Sequence, residues 1–179
     1  GMYFDMGANS AAETHLRKIS ELAPLDGRPE WFLGRIEVMF SRNDLALAHY
    51  QESLRREPNS KNRQDILFEL AMVQLKLRRY GECLQTVDQL QPGAGALAIK
   101  AECQYGLADP PAALATLEEA LSLDAKNLDA LSLKGKILLE TGQAEAAREV
   151  FAGAAEQYPT DYLCRFKLAE AYRRLGQAE

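Results

Sequence analysis

The stretch LDALSLKGKILLETGQAEAAREVFAGAAEQYPTD, residues 128–161, decides the fold. Leu131, Gly135 and Leu138 recur at spacings of four and three, which places them on one face of a helix. Thr141-Gly142-Gln143 breaks the pattern. Glycine suits a helix C-terminus because it reaches the left-handed region without a Cβ clash. Ala147, Phe151 and Ala154 mark a second helix at the same spacings, and Pro159 ends it. Two helices joined by so short a turn run antiparallel, side by side.

Working outward, the pattern repeats. Ala101, Gly135 and Ala169 lie 34 residues apart, as do Ala113 and Ala147, Leu117 and Phe151, Ala120 and Ala154, and Gly142 and Gly176. A fixed period of this length marks stacked helix pairs rather than an enzyme built around one core. Residues 94–127 form the preceding unit, with Asp109 as an N-cap and Pro110-Pro111 where missing N–H groups do least harm. Residues 162–179 form a half repeat, in which Gly176-Gln177-Ala178-Glu179 copies Gly142-Gln143-Ala144-Glu145.

Upstream the period loosens. Residues 27–60 and 64–93 read as two further units, the second one short, with a small polar insertion within 59–63. A leading helix within 10–26 has Ser10 as its N-cap, Glu13 completing a capping box, and Pro24 as its terminator. Its Ala12, Leu16 and Ile19 fit the second-helix pattern of a missing first repeat. Residues 1–9 are expected to be a flexible segment, with Gly1 a tag-cleavage scar. The expectation is an all-α chain of about ten helices, with residues 10–179 as one repeat domain.

Composition excludes several function classes. Apolar residues are 47% of the chain and charged residues 26%, enough for a continuous core and unlike a disordered chain. The net charge of −5 repels phosphate backbones, so no nucleic-acid partner is expected. No apolar run approaches the ~18–20 residues a membrane-spanning helix needs, so no membrane insertion is expected. The start Met2 to Met6 lacks the pattern of a secretory leader. A cytoplasmic location is therefore expected, or a periplasmic one if a native leader has been removed. Cys83, Cys103 and Cys164 are odd in number and widely spaced, which argues for buried reduced thiols rather than a disulfide framework or zinc site. His15 and His49 have no second ligand type at metal-binding spacing, so no metal or cofactor is implied.

Gly135-x2-Leu138, Ala147-x3-Phe151, Ala154 and Pro159 match the tetratricopeptide repeat pattern, as do Leu168-Ala169-x2-Tyr172, Leu33-Gly34, Ala46-x3-Tyr50 and Pro58. Trp31 falls one position late. Glu37 and Gln74 replace the first-helix aromatic, Cys83 and Val87 replace Ala and Phe, and Ala125 replaces the proline. Over roughly residues 27–179 the chain thus resembles the tetratricopeptide repeat family. The resemblance implies a right-handed superhelical solenoid of antiparallel helix pairs, whose first helices line a concave groove.

In that register the groove positions are Trp31, Arg35 and Val38, then Phe68, Met72 and Leu75. Ala98, Glu102 and Tyr105 follow, then Ser132, Lys136 and Leu139, then Phe166, Glu170 and Arg173. The first two units present a largely apolar strip, which normally marks an interaction site. Trp31, Phe68, Met72 and Tyr105 are the expected anchors for an apolar or amphipathic segment of a protein or peptide partner. The competing reading is that Met2 to Met6 or neighbouring repeats bury them. Members of the family that bind chaperone tails use a clamp of Lys, Asn and Arg here, and Trp31, Phe68, Met72 and Glu102 do not supply it.

Other features read as scaffold. The doublets Arg55-Arg56, Arg78-Arg79 and Arg173-Arg174 sit at helix ends, where cations favour the helix dipole. Lys134-Gly135-Lys136 lacks the glycines and hydroxyl of a phosphate loop. No carboxylate pair or Cys–His pair is set for catalysis. The function expected is noncatalytic protein binding. The alternative is an arm of a larger enzyme or of an envelope or secretion assembly, and a homodimer through the C-terminal edge is a further expectation.

Overall fold

The computed structural model describes residues 6–176, with side chains from Ala11 onward. Among these residues there are ten helices and no strand, as the 34-residue period requires. Met2 to Asp5 and Gln177 to Glu179 lie outside the described residues, so a fold-back of the N-terminus and the copied turn after Gly176 remain sequence readings. The chain groups into two compact units, residues 1–91 and 92–179.

The first unit holds α1 (Met6–Leu22), α2 (Arg28–Met39), α3 (Asn43–Arg56), α4 (Arg63–Lys76) and α5 (Tyr80–Val87). Each helix packs on the next. Its core gathers Ala46, Leu47, Tyr50, Ile66, Leu70 and Val73 from α3 and α4. The second unit holds α6 (Ala94–Gly106), α7 (Pro110–Leu123), α8 (Leu128–Glu140), α9 (Ala144–Gln157) and α10 (Tyr162–Arg174). There α6 and α8 also touch, as do α8 and α10, so first helices neighbour first helices.

Helix α1 corrects one boundary. It begins at Met6, so Ser10 lies inside it rather than capping it, and residues 6–9 are helical where a flexible segment was expected. Glu13 closes no capping box and instead pairs with Arg17 at 2.8 Å. An i,i+4 pair of this kind supports a helix that has already started.

The turns between paired helices share one device. Ser41, Arg78, Ala108 and Gly142 all have positive φ, from 58° to 80°. The next residue in each case donates back to the first-helix carbonyl five residues earlier: Arg42 to Glu37, Arg79 to Gln74, Asp109 to Gln104, and Gln143 to Leu138, at 2.8–3.0 Å. This hydrogen bond satisfies a carbonyl that the helix end would otherwise leave bare. Only Gly142 announces the conformation in sequence. Three of the five second-unit helices, α7, α8 and α10, start on capping side chains: Asp109, Asn127 and Asp161 accept from the backbone N–H of Ala112, Ala130 and Cys164.

Close packing explains the small residues of the repeat. A Cβ on Gly34 would lie 2.5 Å from Cε1 of Tyr50, and one on Gly135 would lie 2.6 Å from Cε2 of Phe151. Both rings are 1% exposed. Where the small residue is alanine the facing side chain is smaller, as with Ala101 and Leu117, both fully buried in one cluster. Cys83 and Cys103 are each disulfide-bonded, which corrects the expectation of reduced thiols, because an odd cysteine count does not exclude a disulfide. Cys164 is free and buried, and burial with Asp161 nearby pushes its thiol up to about 11.

Candidate functional site

The first-helix face of the first unit is built around a residue that the repeat register does not single out. Glu69 on α4 accepts a hydrogen bond from the Trp31 indole N–H at 3.0 Å. Arg35 Nε lies 3.6 Å from the same carboxylate, and the Arg35 guanidinium sits 5.8 Å from the Trp31 ring centroid. The Tyr50 hydroxyl also hydrogen-bonds Glu69, and burial together with that negative charge drives the phenol well above its usual range. One carboxylate thus ties α2, α3 and α4 together and holds Trp31 in one orientation. Trp31 is half-buried and stacks on Phe32, with ring centroids 5.3 Å apart.

This arrangement consumes the polar groups and leaves the apolar ones open. Phe68 and Met72, one helical turn apart on α4, are 39% and 37% exposed. Val38 and Leu75 are half-buried, and Met39 is exposed at the end of α2. The candidate residues of this unit therefore comprise one fixed aromatic, two open apolar side chains and an arginine whose charge Glu69 already balances.

The second unit's face is polar. Tyr105 donates to Glu140, which pushes its phenol up to about 12, and the Lys136 ammonium lies 4.8 Å from the Tyr105 ring centroid. Partial desolvation raises the Glu102 carboxyl despite the nearby Lys136 charge. Phe166 is 51% exposed and stacks on Tyr162 with centroids 6.1 Å apart. So the structure joins Trp31 with Arg35, and Tyr105 with Lys136, while Phe166 stacks with Tyr162 instead of with another expected groove residue. Glu69 and Glu140, which lock the two aromatics, escaped sequence reading because only spatial neighbours reveal them. Among the described residues no group of His, Cys, Asp and Glu could hold a metal ion, and no helix is long and apolar enough to cross a membrane.

Stacked antiparallel pairs with one small-residue seat per pair define a helical-repeat protein. The tetratricopeptide repeat family model matches residues 104–163, and the ten helices together have the fold of a tetratricopeptide repeat protein. No curated protein sequence matches the chain. Among solved structures it is similar to PilW, a widely conserved type IV pilus biogenesis factor, with a TM-score of 0.81 at 16% identity over 98% of this chain and 82% of that one. MamA from Desulfovibrio magneticus RS-1 gives 0.77 at 17% identity over 87% and 89%. YrrB, a repeat protein with an unusual peptide-binding site, gives 0.65 at 18% identity over 92% and 85%. At these identities the likeness is one of fold.

Proposed function

We propose that this chain is a noncatalytic scaffold that binds an apolar or amphipathic segment of a partner protein on the first-helix face of its first unit. The observation that carries this reading is the exposure of Phe68 and Met72 beside a Trp31 whose N–H is already engaged by Glu69. A fixed aromatic next to open apolar side chains is the composition of a binding hot spot, because little side-chain freedom is left to lose. The neutralised Arg35 does not favour an acidic ligand. The peptide-binding site in the name of YrrB supports the reading by analogy.

Selection from a displayed peptide library with the intact chain tests it. The expected peptides carry two or more large apolar residues and lose binding to the Phe68→Ala, Met72→Ala double variant, with helicity unchanged. That pair is cleaner than Trp31→Ala, which also strands the half-buried Glu69. Peptides that bind the double variant as tightly as the parent would refute the assignment.

A further inference from the structure

On α4 only one stripe reaches the surface. Asp65, Phe68, Met72 and Lys76 are exposed, and every other residue of the helix is half-buried or buried. Their spacings of three, four and four put them on one face over about three turns. The stripe thus runs from an acid, through two apolar residues, to a base. Neither charge has an ion-pair partner among the described residues. Elsewhere in the unit Arg28 lies 2.7 Å from Asp26, Arg55 2.6 Å from Glu52 and Arg79 3.5 Å from Glu82.

The stripe offers a ligand little hydrogen bonding. Beside it the Trp31 N–H, the Tyr50 hydroxyl and Arg35 are all directed to Glu69. An extended segment laid here would strip water from its own backbone N–H and C=O groups and gain no replacement. Addition as a β-strand needs a sheet edge, and the described residues contain no strand. A helix satisfies its backbone internally, so it covers Phe68 and Met72 without that cost.

We infer that the occupant of this face is an amphipathic helix of a partner protein lying antiparallel to α4. It places an acid opposite Lys76, large apolar residues over Met72 and Phe68, and a base opposite Asp65. The inference rests on the binding face proposed above and adds the partner's conformation, direction and charge order. Charge sets the direction. Asp65 lies in the first turn of α4 and Lys76 in the last, where the helix dipole favours each. A partner helix is stabilised by the same order, acid first and base last. Only the antiparallel direction then brings its acid to Lys76 and its base to Asp65. In the parallel direction the same helix would set like charges against each other. Counted back along α4 from Lys76, the partner residues fall at spacings of four, four and three, again one helical face.

Fluorescence anisotropy with the full chain and alanine-based peptides of about 20 residues, long enough to form helix in isolation, tests this up to millimolar concentration. The first peptide carries Glu, Leu, Leu and Lys at those spacings and is expected to bind. Lys76→Glu, at an exposed position, should weaken it about fivefold, one surface ion pair lost and one repulsion gained. A second peptide, with Lys in place of that Glu, should restore affinity for the Lys76→Glu variant, while one that gains its lysine on the opposite face should not. A third peptide, the first with a central proline, cannot complete the helix and should bind about tenfold more weakly. Circular dichroism checks that the variant keeps its helicity. The inference is overturned by a first peptide that does not bind, by Lys76→Glu leaving its affinity unchanged or raised, by the second peptide failing to restore it, or by a proline peptide that binds as tightly. The last outcome, with binding still lost in Phe68→Ala with Met72→Ala, removes only the helical occupant. Peptides that bind that double variant as tightly as the parent remove the face itself.

Discussion

Replacing Gly135 by alanine adds a single carbon at the most crowded seat of the second unit. The new Cβ would lie 2.6 Å and 2.7 Å from Cε2 and Cε1 of Phe151. Carbon atoms in good contact sit ~3.5–4.0 Å apart, so the ring must retreat by about 1 Å. It has little room, being 1% exposed and packed among Leu138, Leu139, Ala147 and Ala171. Overpacking of this kind costs roughly 1–3 kcal/mol, and a rigid ring places the cost in the upper part of that range. The gain in helix propensity from glycine to alanine returns about 1 kcal/mol. The expected net loss is roughly 1–2 kcal/mol, read as a lowered urea midpoint at unchanged slope. Gly153→Ala is the control: its added Cβ meets nothing within 4 Å on α9, so its midpoint should rise by the propensity gain alone. Adding Phe151→Leu to Gly135→Ala should be less costly than the sum of the two changes, because the pair then copies Ala101 and Leu117. A Gly135→Ala midpoint at or above the parent's, with Gly153→Ala behaving as expected, would refute the packing argument.

Other outcomes follow from the same contacts. Phe151→Ala should cost roughly 3–5 kcal/mol in urea unfolding through lost burial plus a cavity. Ala108→Gly should raise the unfolding free energy by about 0.5–1 kcal/mol, seen as a higher urea midpoint, since Ala108 sits at φ 62° and pays for a left-handed backbone that glycine adopts freely; a lower midpoint would show that the alanine methyl packs usefully. Burial of Glu30 works against its charge, but hydrogen bonds from Ser20 and His49 and the Arg56 charge outweigh it, holding its pKa below the ordinary 4.5. Its stabilising contribution is thus complete above pH 4.5 and is lost as pH falls through the lower folded value. Acid loosening of α1, followed by amide exchange, should therefore be steeper in the parent than in Glu30→Gln, and superimposable pH profiles would reject Glu30 as the anchor.

Much of the fold was legible because it is written in local terms. Gly135 and Gly34 are small because helices meet there, and Gly142 is glycine because the turn needs positive φ. The same turn at Ser41, Arg78 and Ala108 gave no signal, since the six-residue hydrogen-bonded closure imposes the conformation on whatever residue is present. The early start of α1 was missed for a related reason: Ser10 is a good cap in isolation, but the helix continues through it to Met6.

The candidate face was legible only in outline. Register alone placed Trp31, Phe68 and Met72 on first helices, because a period of 34 maps residue number onto helix face. It could not say that Glu69 engages Trp31 and Arg35, that Tyr105 is locked by Glu140, or that Ala169 is open while Ala101 is sealed. Those facts depend on which side chains from different helices meet. Sequence by itself therefore determined the helices, their pairing and the seats between them, since these follow from steric period and backbone preference. Tertiary structure alone decided which polar groups are spent within the molecule and which apolar faces are left open, since burial and hydrogen bonding belong to pairs of residues and not to positions along a chain.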